Sequence, residues 1–250
     1  MVYQFFLRHG VTTLKSPATN PHTALPIYLQ ISEVLIREIS AGRLVDGERL
    51  APERKLAEQY GTTVRTLRKA LAELEKKGLL ERIQGSGNYV RNSGDVRSIY
   101  SMFRLELHGG GGLPTATILD LTECEKDPNL PDFGTSRRAT RIRRLRYLNE
   151  TPIAVEEIWL DRDSGPVLSA AVSDSLYHYY QHKLGLWIQH AEDWVSIGRV
   201  PDWAPEGFGR QPGEMTGFIE RFSWAASPEP VEYSRTWYDT DKALYVQRLK

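Results

Sequence analysis

Residues 47–91 read GERLAPERKLAEQYGTTVRTLRKALAELEKKGLLERIQGSGNYVR. Pro52 with Glu53 beside it is the chemistry of a helix start, because a first turn has no use for the missing N–H and its positive end favours a carboxylate. A short helix is therefore predicted over 53–60. A turn at Gly61-Thr62 follows, then a helix from about Thr63 to Lys77, stopped by Gly78. Residues 79–82 and 88–91 read as paired strands around a glycine-rich tip, Gln84-Gly85-Ser86-Gly87. Two helices joined by a tight turn, the second followed by such a hairpin, make a winged helix-turn-helix, mainly α with a β-hairpin wing.

Toward the amino terminus the pattern stays helical. Ile27, Ile31, Val34, Leu35 and Ile39 fall on one stripe, with Glu33, Arg37 and Glu38 expected on the other face. Gly42 and Gly47 end that helix. Residues 1–24, with Pro17, Pro21 and no sustained period, are expected to form a flexible arm. The winged unit thus occupies 25–93, a linker 94–98, and a second domain 99–250. Beyond the linker, β-type stretches run over 116–121, 140–148, 153–160, 187–196, 215–225 and 231–238. One helical segment, 173–183, carries Leu176, Tyr179, Tyr180 and Leu184 on a stripe. Strands broken by few helices predict an α+β domain with a mainly antiparallel sheet. The run Gly109-Gly110-Gly111-Gly112 reads as a mobile loop rather than a phosphate loop.

Composition narrows the class. A chain of 250 residues, 40% hydrophobic and 26% charged, is that of a globular protein with room for two domains. A single cysteine, Cys124, excludes an internal disulfide and fits a reducing compartment. No apolar run approaches the ~20 residues needed to span a bilayer, and residues 1–10 lack a basic start and a small-residue cleavage site. A cytoplasmic location without membrane contact is expected. The net charge is zero, yet it is unevenly spread: residues 25–93 carry +3 and residues 94–250 carry −5. A basic head on an acidic body suits a phosphate-binding unit joined to something else.

The side chains of the third helix fit that reading. Thr63, Arg65, Thr66, Arg68 and Lys69 crowd its first turns, the end of a recognition helix that reaches base edges in the major groove. Arg65 and Arg68 lie three apart, so one can meet guanine while the other meets a phosphate; Thr63 and Thr66 suit phosphate oxygens. Arg54 and Lys55 are placed for the DNA backbone. Gly85 and Gly87 leave the wing tip without bulk, with Arg82 near. The competing reading is a helical hairpin with a solvated charged face. The stretches 26–31, 47–57, 60–71, 74–80 and 85–90 decide between them, because in register they closely resemble the GntR family of bacterial regulators. That resemblance implies DNA contacts for Arg54 and Arg68 and a wing role for Gly85 and Gly87. The chain departs from the family at Val64, where arginine is usual, with Arg65 one place later. It departs again at Leu50-Ala51-Pro52-Glu53-Arg54, where a serine N-cap is lost.

In the second domain Arg144 and Arg146 alternate along a strand and share a face, an arrangement that suits an anion. Ser175 and Tyr177 fall at a helix start, where hydroxyls and free N–H groups also favour an anion. Glu156, Glu232 and Tyr238 would supply acceptors and a ring for hydroxyl or amine groups. The alternative is that these arginines form surface ion pairs with Glu150, Glu156 or Glu157. Arg137, Arg138, Arg141 and Arg143 are expected to be solvated, and Trp187, Trp194, Trp203 and Trp224 to be core. Residues 144–146, 152–160, 175–177 and 230–238 resemble the ligand-sensing UTRA domain of the HutC branch of the same family, whose fold is like chorismate lyase. The resemblance implies that matching positions hold phosphosugars or other small polar metabolites.

His178 and His182 are spaced i, i+4, but no partnering ligand at metal spacing is evident. Glu156 and Glu157 point to opposite faces and are not a paired acid and base. No Walker motif, nucleophile elbow or dinucleotide fingerprint appears, so no cofactor and no enzyme activity are expected. The expectation is a homodimeric repressor that binds an inverted-repeat operator in double-stranded DNA and is released by a small anionic metabolite. Its rivals are a body that only dimerises and a lyase-like enzyme.

Overall fold

Apolar spacing dictates the helices of the head. The computed structural model describes residues 26–40, 42–91, 102–110, 112–168 and 175–248; the expected arm (1–24) and linker (94–98) lie outside the described residues. Helix α1 (Ile27–Ser40), α2 (Glu53–Gln59) and α3 (Val64–Lys76) close around Ile31, Leu35, Ile39, Leu67, Leu71 and Leu74, all buried. Each such side chain contributes about 1.5–3 kcal/mol by leaving water. Strands β1 (Leu80–Ile83) and β2 (Gly87–Val90) pair antiparallel as the wing. Gly61 and Gly78 take positive φ at the two helix ends, where a side chain would be strained. Pro52 stands at the N-cap of α2 rather than inside its first turn, with no side-chain cap, consistent with the missing serine.

Helix α1 departs from its expected amphipathic placement. Glu33, Arg37 and Glu38 are buried rather than solvated: Glu33 lies 3.8 Å from Lys77 of the head, while Arg37 and Glu38 sit at the junction with the body. Arg37 lies over the Phe103 ring, 5.7 Å from its centroid. Arg43 joins Glu38 of the head (3.0 Å) to Glu106 of the body (3.1 Å).

The body is a six-stranded antiparallel sheet in the order β4-β5-β6-β9-β8-β7. Its strands are β4 (Pro114–Glu125), β5 (Arg138–Leu148), β6 (Thr151–Asp161), β7 (His190–Arg199), β8 (Met215–Trp224) and β9 (Glu232–Tyr238). A ribbon of β3 (Leu105–Leu107) and β10 (Ala243–Tyr245) stands apart, unforeseen because three-residue strands carry no periodic signal. The predicted helix over 173–183 is broken: α4 (Leu176–Tyr179) passes into a π-helical turn, Tyr180–Leu184, which Gly185 ends at positive φ. Residues 173 and 174 of that prediction, and Gly111 of the glycine run, lie outside the described residues. Leu176, Tyr179 and Tyr180 pack on Ile142, Ile158 and Leu160, so α4 covers one sheet face. Among the described residues no helix is long and apolar enough to cross a membrane.

Several side chains sit elsewhere than expected. Trp194 is 54% exposed rather than core. Arg141 and Arg143 are mostly buried rather than solvated: Arg141 donates to Asp120 (2.9 Å), and Arg143 donates to Glu157 (2.7 Å) while lying over Trp203.

Candidate nucleic-acid interface and effector pocket

On the head, Arg54, Arg65 and Arg68 are exposed on one unit of α2, turn and α3. Thr63 is the N-cap of α3: its Oγ1 accepts from the Thr66 backbone N–H at 3.1 Å and lies 2.9 Å from the Thr66 hydroxyl. Capping of this kind contributes about 1 kcal/mol, so both threonines have a helix-starting role whether or not they meet phosphate. Arg68 Nε donates to Glu53 Oε2 at 2.6 Å, while Arg82 stands 3.9 Å from the same carboxylate. Glu53 thus collects one cation from α3 and one from the wing. With Arg68 62% exposed, such a pair is worth at most about 1 kcal/mol and yields easily to a phosphate or base. Val64 packs against the head core, leaving its neighbour Arg65 outward.

The wing has a support that sequence reasoning missed. Arg49 donates to the Ser86 carbonyl and lies beneath Gly87, where a Cβ would stand 3.0 Å from Arg49 Nε. Gly85 (φ 76°) and Gly87 (φ 144°) both need conformations that side chains resist. The usable signal was the cation three residues before Pro52, across an isolated bridge from Tyr89.

In the body, the strand register brings most of the predicted ligand residues together. Arg144 stands opposite Glu156, Glu156 opposite Thr236, and Ser223 opposite Glu232. Arg144, Arg146, Glu156, Ser175, Tyr177 and Glu232 line one pocket of about 40 Å³, with Arg221, Phe103 and Ser234. Arg144 Nε donates to Glu156 Oε2 at 2.6 Å, and Arg146 Nη1 donates to the same oxygen at 3.2 Å. The ion pairs foreseen as an alternative therefore exist, but they are buried inside the pocket. Glu157 faces away, toward Arg143 and Arg235. Burial alone would raise the Glu156 pKa; the charges of Arg144 and Arg146 overcome it and bring it down to about 2.

Glu232 has the opposite balance. Burial pushes its pKa up, and hydrogen bonds from Tyr180 (2.7 Å) and Ser223 (3.0 Å) only partly offset that. The Tyr177 hydroxyl lies 3.2 Å from both Ser223 and Glu232. Ser175 caps α4, its Oγ accepting from His178 N–H at 3.4 Å. Tyr238 is not part of the pocket: its ring lies over Gly217, in a cluster with Leu105, Leu148 and Ile219. Arg221, held by Asp193 at 2.5 and 2.7 Å, was missed, although its alternation with Ser223 repeats the Arg144 and Arg146 signal. Phe103 was also missed, and nothing local marks it. The ring lies 4.5 Å from Arg146 and 5.7 Å from Arg37, so it joins the pocket wall to α1. The His178 and His182 rings stack at 4.0 Å, and no group of metal-binding side chains occurs among the described residues.

Residues 27–90 match the bacterial regulatory proteins of the gntR family, and residues 111–243 match the UTRA domain. The HTH-type transcriptional regulator SmoD of Agrobacterium fabrum is 51% identical over 228 residues, covering 91% of this chain and 97% of its own. The mannosyl-D-glycerate transport/metabolism system repressor MngR of Escherichia coli is 28% identical, covering 86% and 92%. Among solved structures, the ligand-binding domain of a GntR-family regulator from Bordetella bronchiseptica shares the body's fold. Its TM-score is 0.51 at 21% identity, over 59% of this chain and 96% of that one. GntR regulators bind DNA operators, and UTRA domains bind small-molecule effectors. The chain belongs to the GntR family of transcriptional regulators, a family of regulators rather than enzymes, with a winged helix-turn-helix head and a UTRA body.

Proposed function

We propose that this regulator is a repressor. It binds an inverted-repeat operator as a homodimer, through Arg54, Arg65, Arg68, the Thr63/Thr66 turn and the Gly85/Gly87 wing, and is released by a small anionic metabolite bearing hydroxyl groups. The observation that carries the effector class is the pair Arg144 and Arg146 on one buried carboxylate, with the Tyr177, Ser223 and Glu232 network beside it. Two guanidiniums suit a phosphate or carboxylate, and the acceptor and hydroxyls suit a polyol. The relative whose name specifies the mannosyl-D-glycerate system, a carboxylate joined to a sugar, supports the same class and the repressor sense.

At about 40 Å³ the pocket has room for one or two waters. A metabolite must therefore open it, and Phe103 is the wall shared with α1. Opening that wall disturbs the contact with Arg37 and so the seating of the head, which is how the effector prefers one head arrangement over another. Strand β7 supports the dimer: it is a ten-residue sheet edge that leaves Trp194, Val195 and Ile197 exposed, a surface that natural proteins rarely leave bare. The ion pairs that Glu156 already makes with Arg144 and Arg146 favour a second reading, in which the body only dimerises. Fluorescence anisotropy with the DNA upstream of its own gene, titrated with phosphorylated sugars and sugar acids, separates the two. Release of specific binding by one compound, lost in Arg144→Met, supports the first reading. Specific binding that no compound alters supports the second.

A further inference from the structure

Glu53, the first residue of α2, joins three elements of the head. Arg68 of α3 donates its Nε to Glu53 Oε2 at 2.6 Å, and Arg82 of β1 brings its Nη2 to 3.9 Å from Oε1. Arg82 is anchored in turn, its Nε donating to Oδ1 of the buried Asn88 on β2 at 3.3 Å. We infer that Glu53 is a positioning residue for operator recognition: it sets which edge of Arg68 meets the DNA and reserves that edge for a base rather than a phosphate. The inference rests on the assignment of Arg68 to the DNA face made above.

The geometry of the guanidinium carries the argument. Its planar fork offers two edges to a partner with two acceptors: Nε with one Nη along the side, and both Nη at the end. Glu53 occupies Nε and so closes the side edge; among the described residues Arg68 makes no other hydrogen bond. The end edge stays open for O6 and N7 of a guanine, the two acceptors an arginine reads in the major groove. A base there leaves the Nε bond in place, whereas a phosphate at the side edge has to displace it. The carboxylate also repels a phosphate but not a neutral base edge. Without it, phosphates are the stronger attraction for an exposed cation, and they carry no sequence information. The pair is too exposed to hold the fold, yet it suffices to choose between two orientations of one side chain. Glu53 itself is set back, its side chain 21% exposed against 62% for Arg68, with Arg82 on its wing side. The competing role is local: a carboxylate in a first turn favours the positive helix end. That role is indifferent to the sequence of the DNA.

The test is fluorescence anisotropy at several salt concentrations, with the full chain and two duplexes: an operator that the wild type selects from random DNA, and a scrambled duplex of the same composition. Glu53→Gln keeps the size of the side chain and removes its charge. It should weaken operator binding by at least about fivefold, in the range of coupling between contacting residues, and bind the scrambled duplex at least as tightly as the wild type. On the scrambled duplex the slope of log affinity against log salt should steepen by about 0.9, the signature of one added phosphate contact. In an Arg68→Ala background the same substitution should leave the ratio of the two affinities unchanged within about twofold, the additivity error of sites that do not interact. Circular dichroism and thermal unfolding confirm the fold, which an exposed pair hardly supports. An equal loss on both duplexes, or no change on either, would overturn the inference and leave Glu53 a helix start. So would a loss of discrimination that persists without Arg68. An equal gain on both would make Glu53 a uniform brake on DNA binding and overturn it too. Loss in Arg68→Ala without loss in Glu53→Gln sinks this inference alone; operator affinity intact in Arg68→Ala sinks the assignment of Arg68 as well.

Discussion

Replacing Glu156 by glutamine tests the pocket's electrostatics directly. The change keeps the shape and removes the charge that Arg144 and Arg146 share. A carboxyl whose pKa falls from 4.5 to about 2 on folding gains about 3 kcal/mol at neutral pH from being ionised. Breaking a buried pair costs about 3–5 kcal/mol by independent reckoning, so Glu156→Gln should destabilise the body by about 3 kcal/mol at pH 7. The sign of the pH dependence is fixed. The folded pKa is depressed, so this stabilisation is complete above about pH 4.5 and disappears as pH falls through about 2. The gap between the two proteins should be halved near pH ~3. All six tryptophans lie in the body, so urea unfolding followed by their fluorescence reports this domain alone. A gap under about 0.5 kcal/mol at pH 7, within the range of ordinary surface substitutions, would refute the reasoning. So would a gap that stayed constant down to pH ~3. Added phosphate should stabilise the variant more than the wild type, since the Glu156 charge no longer competes with an anion for Arg144 and Arg146.

Arg68→Ala should cost about 1–3 kcal/mol of operator affinity if Arg68 reads a base; an equal loss on random DNA with a shallower salt dependence would make it a phosphate contact. Arg49→Met removes the donor to the Ser86 carbonyl and should weaken operator binding several-fold, with thermal stability changed by less than about 1 kcal/mol; anisotropy and calorimetry measure the two. Gly217→Ala drives a Cβ into the Tyr238 ring and should destabilise the body by about 1–3 kcal/mol, read from the same fluorescence transition.

The parts of the fold legible in the sequence are those set by local periodicity. The stripe Ile31, Leu35, Ile39 and the alternation of Arg144 with Arg146 each depend on neighbours three, four or two residues away, so α1, α3 and all six sheet strands are readable. Charged side chains are less so, because their surroundings come from elsewhere in the chain. Glu33, Arg37 and Glu38 look like a solvent face until Lys77, Phe103 and Arg43 meet them. Arg141 and Arg143 look solvated until Asp120, Glu157 and two indoles meet them across strands. Tyr238 alternates correctly for the pocket face, yet a glycine opposite draws its ring aside. Phe103 takes its importance entirely from long-range neighbours, Arg37 and Arg146.

Those neighbours also limit how the pocket can speak to the head. A hundredfold change in operator affinity requires about 2.7 kcal/mol of coupling. A cation–π contact supplies about 0.5–1 kcal/mol when exposed and about 2 when desolvated, so Arg37 over Phe103 falls short by itself. The remainder has to come from the charges sharing the same wall, where Arg43 bridges Glu38 to Glu106 and Arg248 holds Glu106 from the far side. On the proposed function, a metabolite that displaces Phe103 carries the adjoining residues 104–106 with it. It then acts on Glu38, Glu106 and the aromatic contact together. A site that relied on Phe103 alone would be a weak switch; one wired through Glu106 as well is a usable one.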